Sequence, residues 1–257
     1  MLRFGHIMHI FLHKKLFMLK YISPMLIEHF AEDYSVLMGL MDLIPVILFA
    51  VSGCIIIKVM FNELRKPFAV MLCSGVTLSL TAGVFKAVWK ILLALNICDF
   101  YPFDVMFMPT QALGFVLMGI GLVSLFFQKK DDKAIANVAV WPLMLLVVLE
   151  RVAVPTENGS IAFIAMLVIG DIAISTALCY LAIKNKNWIS LVLFIVFCIG
   201  LIAMGAMKPL STKLNMTVTV ANWVEESINI VAQGCLLGGA ILMNKKGFFS
   251  FREKQEN

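Results

Sequence analysis

Apolar positions along this chain come in long runs, and polar positions come in short groups between them. Seven runs stand out, at about 35–61, 68–95, 105–127, 134–154, 160–183, 188–207 and 217–243. Each is close to the roughly 20 residues that a helix needs to cross the hydrocarbon core of a bilayer. The links between them are short: NELRKP, CDFYPFD, QKKDDK, PTENGS, KNKN and KPLSTKLNM. They leave no stretch for a soluble domain, and no internal repeat of the kind found in inverted-repeat transporters stands out. The pattern predicts an all-α, polytopic membrane helix bundle of about seven transmembrane helices, occupying residues 35–243.

Lysine and arginine orient such a bundle. Arg65 and Lys66, the group Lys129, Lys130 and Lys133, the pair Lys184 and Lys186, and the tail residues Lys245, Lys246, Arg252 and Lys254 all fall on one side. The opposite side has only Arg151, Lys208 and Lys213 at span ends and in links. The N-terminus of the bundle is therefore expected outside and the C-terminus inside, with residues 244–257 a cytoplasmic tail and the protein a multi-pass protein of the cell membrane. Residues 1–34 depart from this pattern: Arg3, Lys14, Lys15 and Lys20 would lie outside, and no run there is long enough to span. Four readings of that segment stay open: a disordered stretch, a surface-lying one, an eighth crossing element, or sequence ahead of a true start at Met25.

Composition agrees. Only 14% of residues are charged, and the mean hydropathy is +0.95, a balance that suits a multi-span bundle and no soluble domain. The net charge of +5 does not imply nucleic acid, because the basic residues sit in separate links and form no continuous face. Five of the six cysteines lie in apolar runs and none forms a CxxC pair, so they read as small packing residues. His6, His9 and His13 would share a helix face, but no carboxylate or cysteine completes a metal site there. Neither a metal nor a cofactor is expected.

The candidate chemistry lies in charges placed inside apolar runs, where they are costly and usually functional. In the second span Gly75, Ser79 and Gly83 form a small-residue stripe that invites a close neighbour, and Lys86 and Lys90 continue the same arc. Snorkelling to the interface is the competing account for both lysines. The seventh span supplies the expected partners of these lysines: Asn222, Glu225, Glu226, Asn229 and Gln233 fit one polar stripe, with Gly234 and Gly238 opposite as a face for another helix. Asp171 stands near the middle of the fifth span, sharing a face with Ser175 and Cys179, and Lys86 is its nearest cation by estimated depth. Asp42 opens the first span and Gln111 the third. Nearly all of these fall in the outer half of the bundle, which predicts a polar pocket opening outward. Trp89, Phe100, Tyr101, Phe103 and Trp223 at the outer boundary are accounted for by an interfacial aromatic belt.

Two seven-span families are set aside on their defining residues. Microbial rhodopsins hold retinal on a lysine of the last helix, and the last span here has none in its apolar body; membrane ceramidase-like hydrolases need several histidines, and every histidine here precedes residue 30. Gly170-Asp171 and Phe85-Lys86 resemble in type the Gly-Asp pair and early lysine of the lysoplasmalogenases, in a different order and spacing. Three functions remain. The preferred one is a protein that binds or transports a small polar molecule or a lipid headgroup, through Lys86, Lys90, Gln111, Asp171, Glu225, Glu226, Asn229 and Gln233. The second is a structural subunit whose charges pair internally and which meets a copy of itself or another protein through Gly234 and Gly238. The third is an intramembrane lipid hydrolase with Asp171 or Glu225 as general base; the balance leans away from an enzyme. Membrane lipid is an expected neighbour in every case.

Overall fold

A computed structural model of the protein describes residues 34–127 and 159–245. The N-terminal segment, the predicted fourth span at 134–154 and most of the C-terminal tail lie outside the described residues. Every regular element among those described is helical: α1 (Val36–Met60), α2 (Lys66–Ala94), α3 (Tyr101–Val123) with a 3-10 turn at Ser124–Phe127, α4 (Gly159–Lys184), α5 (Trp188–Lys213) and α6 (Val218–Lys245). Six of the predicted spans are thus helices long and apolar enough to cross a membrane. This is an integral, multi-pass membrane protein.

Local chemistry accounts for the helix ends. Ser35 Oγ accepts from Met38 N–H at 3.1 Å and opens α1, and Asn187 does the same for α5 through Ser190 N–H. Three helices end in the same way, with a residue in the left-handed region just past the end: Asn96 after α2, Lys186 after α4 and Asn215 after α5. In each, paired backbone bonds close the last turn, as in Ile97 N–H to Leu92 C=O and Asn96 N–H to Leu93 C=O. This motif satisfies carbonyls that a helix end would otherwise leave bare.

Two boundaries differ from the sequence expectation. The third helix begins at Tyr101, four residues before the predicted 105, because Pro102 suits a first helical turn and Asp104 complements its positive end. The fifth runs on to Lys213, past the predicted 207, so most of KPLSTKLNM is helix. Hydropathy marks where a span leaves the apolar layer, and the backbone continues beyond that point.

The helices form a closed ring: each packs on the next in chain order, α3 packs directly on α4, and α6 returns to α1. Small residues set the close approaches. A Cβ on Gly114 of α3 would meet Gly75 O at 2.8 Å and Ser79 N at 2.9 Å on α2, and one on Gly170 of α4 would meet the Phe115 backbone of α3 at 2.7 Å. The predicted small-residue stripe of α2 is shared between two neighbours, Gly75 and Ser79 facing α3 while Gly83 faces Val46 of α1. Apolar side chains such as Leu37, Ile47, Val70, Ile169, Ile189, Ile199 and Val231 point outward, while Asp42, Lys90, Asp171 and Glu226 are buried, the inverse of a soluble bundle.

Contact pairs give the helix directions. Phe115 meets Gly170 and Gly119 meets Ala173, and Phe126 packs on Tyr180, so α3 and α4 run parallel. α1 and α6 also run parallel, since Asp42 lies level with Glu226, and Ile56 with Ala240. At one end of the ring lie the starts of α1, α3, α4 and α6. At the other lie Arg65, Lys66, Lys184, Lys186 and Lys245; it is called the basic end below. From mid-depth to the basic end the interior is filled by Phe49, Ile56, Phe115, Leu122, Ile174, Phe194, Phe197 and Leu236. The opposite end is where packing gives way to space.

Candidate functional site

Three helices bring charge together at that end. Lys86 and Lys90, one turn apart on α2, reach between α1 and α6. Lys90 Nζ lies 2.8 Å from Asp42 Oδ2 and 3.5 Å from Glu226 Oε1. Lys86 Nζ lies 2.9 Å from the same Glu226 oxygen and 3.7 Å from Glu225 Oε1. Glu226 thus bridges both ammonium groups. Lys90, Asp42 and Glu226 are each at most 3% exposed, while the side chains of Lys86 and Glu225 retain 18% and 31% exposure. Aromatic faces complete the lysine surroundings: Lys86 Nζ sits 5.2 Å from the Phe107 ring centre and Lys90 Nζ 5.9 Å from that of Tyr34. Trp89 Nε1 donates to Asp99 Oδ1 at 2.8 Å and Phe85 stacks on Phe103 at 4.6 Å, which fixes the α2–α3 connection over this corner.

Below the ion pairs is a small cavity of about 50 Å³, in which Asp42, Ser79, Lys86, Gln111, Glu226, Asn229 and Gln233 share the border with apolar side chains such as Phe49 and Phe115. Such a space suits a few water molecules. Gln233 Nε2 donates to Asn229 Oδ1 at 3.4 Å, and Gln233 Oε1 is buried with no partner among the described residues.

Beside it lies a much larger cavity of about 780 Å³, between α3, α4, α5 and α6. It extends from Asp171 and Leu201, at mid-depth, to Ser211, Thr212 and Asn215 at the ring's end, and Gln111, Asn222 and Glu225 contribute further polar groups to a wall made mostly of Met, Phe and aliphatic side chains. Phe107, Gln111, Phe115 and Met204 border both cavities and form the partition. Asp171 is 1% exposed. Its Oδ1 accepts from Ser175 Oγ at 3.2 Å, the Cys198 thiol lies beside the carboxylate as a weak donor, and Oδ2 is buried with no well-formed hydrogen bond among the described residues.

The sequence-predicted residues fall in different places in the structure. Of the acids offered to Lys86, those of the last predicted span are its partners, Glu226 and Glu225, and Asp171, matched to it by estimated depth, sits apart on α4. Lys90, expected to face a ligand, borders neither large nor small cavity and is consumed by Asp42 and Glu226. The single expected pocket is two: Glu226, Asn229 and Gln233 face the small cavity and Asn222 and Glu225 the large one, because a stripe about 100° wide on α6 looks toward both α2 and α5. Gly234 meets nothing within 4 Å and Gly238 only the tip of Leu193; the tight contact of α6 is at Gly239, against the Phe194 ring. Sequence reasoning had placed Asp42 only as a residue opening a span. Its depth beside Lys90 on an antiparallel neighbour was the signal that could have assigned it. Met204, Phe107 and the Ser211–Asn215 turns carried no such signal.

No family model, no curated protein and no solved structure matches the chain. The class that the fold and the site define is an integral membrane protein that crosses the bilayer several times, with buried ion pairs at one end of its helix ring.

Proposed function

We propose that the protein binds or transports a small molecule across or at the cell membrane, with the cavity of about 780 Å³ as its site. That cavity carries the reading. Its volume lies within the range of about 300–1,000 Å³ typical of ligand pockets, and it has the usual make-up of an apolar wall with a few convergent polar groups. A purely structural subunit has no need of such a space. The lysines are structural in this reading: they hold α1, α2 and α6 together through Asp42, Glu225 and Glu226. The groups that meet the ligand are Gln111, Asp171, Asn222 and Glu225.

Basic residues cluster at the other end of the ring, so the cavity faces outside and the C-terminus is inside. The parallel run of α3 and α4 supports a seventh crossing between them, where the apolar run 134–154 lies.

Filling the cavity tests the reading. Gly205 borders it, and a Cβ there meets only Ile164 and Val168 at ordinary contact distance. Gly205→Trp should fold and elute as wild type, yet lose any ligand-induced rise in melting temperature found by screening small molecules against the purified protein. A ligand that stabilises both proteins equally binds elsewhere and refutes the assignment.

One observation favours the hydrolase as a second reading: Asp171 and Glu225 border the same cavity. Hydrolysis of a lysolipid by the purified protein, lost in Asp171→Asn, would put it first.

A further inference from the structure

We infer that the ligand of the large cavity is an organic cation, an amine or ammonium on an apolar body, whose charged group is received by Asp171. This rests on the binding reading above and narrows it to a ligand class.

The first observation is the charge around the cavity. Its described lining includes two carboxylates, Asp171 and Glu225, and no lysine or arginine. Across both cavities and the ion-pair cluster the described charged groups are Asp42, Asp171, Glu225 and Glu226 against Lys86 and Lys90, four acids to two bases. Lys86 and Lys90 are used by Asp42, Glu225 and Glu226. Asp171 is left over, on the far side of the partition.

The second observation is independent of that count. Asp171 is 1% exposed, borders the cavity and has an oxygen, Oδ2, with no well-formed hydrogen bond among the described residues. A buried carboxylate whose neighbours are one hydroxyl and one thiol, a weak donor, remains costly. A ligand ammonium supplies both a strong donor and the missing charge. An anionic ligand would meet Asp171 at the bottom and Glu225 on the way in, and like charges at close range exclude it.

The wall fits the remainder of such a molecule. Phe107, Phe115, Met108, Met204 and Met207 offer π-faces and polarizable sulfur along the route. Glu225, partly exposed and only 3.7 Å from Lys86, is the first carboxylate an entering cation meets.

The experiment uses the purified full chain in detergent and two probes of nearly equal shape: dansylcadaverine, which carries a primary ammonium, and its N-acetyl derivative, which is neutral. Binding is read as energy transfer from tryptophan to the dansyl group, with empty micelles as background. Dansylcadaverine should bind saturably and be displaced by dodecyltrimethylammonium, and the neutral derivative should bind at least about tenfold more weakly. Asp171→Asn, nearly isosteric, should weaken the ammonium probe by about thirtyfold or more, as expected when one partner of a buried charge pair is removed, and leave the neutral probe unchanged. Glu225→Gln serves as a second variant and should slow association of the ammonium probe. Equal binding of both probes, or an unchanged affinity in Asp171→Asn, overturns the cation inference while the cavity reading stands. Binding of both probes that also survives Gly205→Trp overturns the cavity reading itself. Failure of wild type to take up either probe overturns both.

Discussion

At the scale of single residues, Glu226 organises the charged end, because one of its oxygens is shared by Lys86 and Lys90. Removing either lysine leaves acid uncompensated in a dry setting, and breaking a buried pair from one side costs about 3–5 kcal/mol. Lys90→Met should be the more damaging of the two, since Lys90 is 2% exposed and Lys86 is not fully enclosed. Each should have its own rescue: Asp42→Asn for Lys90→Met and Glu226→Gln for Lys86→Met, with Asp171→Asn helping neither. Melting temperatures of the purified single and double variants check this, as coupled groups give non-additive changes and distant ones do not. Rescue of Lys86→Met by Asp171→Asn would contradict the observed pairing. Asp171 itself should behave in the opposite way. With no cation beside it among the described residues, Asp171→Asn should leave the melting temperature of the ligand-free protein unchanged or raise it.

At the scale of elements, backbone proximity decides which small residues matter. Gly114 and Gly234 look alike in sequence, each in an apolar run. A methyl group on Gly114 would press on the backbone of Gly75 and Ser79, whereas one on Gly234 would meet nothing within 4 Å. Gly114→Ala should force α2 and α3 apart, at a cost in the range of about 1–3 kcal/mol for overpacking, visible as a lower melting temperature. Gly234→Ala should be silent in that assay. If Gly234→Leu instead changes the molecular mass measured by light scattering in detergent, the outward face of α6 is an interface with another chain, and the role proposed for Gly234 and Gly238 in assembly gains its support. The extension of α5 to Lys213 matters at this scale too, since it carries Ser211 and Thr212 to the rim of the cavity.

At the scale of the whole molecule, direction is the informative property. α1, α3, α4 and α6 run one way and α2 and α5 the other, so Phe127 and Gly159 lie at opposite ends of the ring. Topology follows from this if the ring spans a bilayer. In a variant with the six native cysteines replaced, a cysteine at Asn158 or Asn215 should react with an impermeant thiol reagent added outside. A cysteine at Lys130 or Asn185 should react only after the membrane is opened. Labelling of positions 130 and 158 from the same side would contradict the parallel run of α3 and α4. Labelling of all four in the reverse sense would leave the ring intact but turn the cavity to the inside.

Much of this protein was legible in its sequence, for one physical reason. A bilayer allows only long apolar helices with their backbone satisfied internally, so run length locates spans whatever they pack against. The same rule makes a lysine at position 86 or 90 conspicuous, and the 3.6-residue period places it on the arc of Gly75, Ser79 and Gly83, toward neighbouring helices. Pairing is a different matter. It depends on which helices adjoin around the ring, and hydropathy is blind to that order. Depth alone offered Lys86 both Asp171 and the acids of the last span; in the ring α2 packs on α1 and α3, and its lysines reach Asp42 of α1 and Glu226 of α6, so Asp171 on α4 was left at the border of the large cavity. The division of one polar stripe on α6 between two cavities has the same origin. Sequence determined that charges would be buried at one end of a membrane bundle, and tertiary structure decided which of them neutralise one another and which stands without a cation among the described residues.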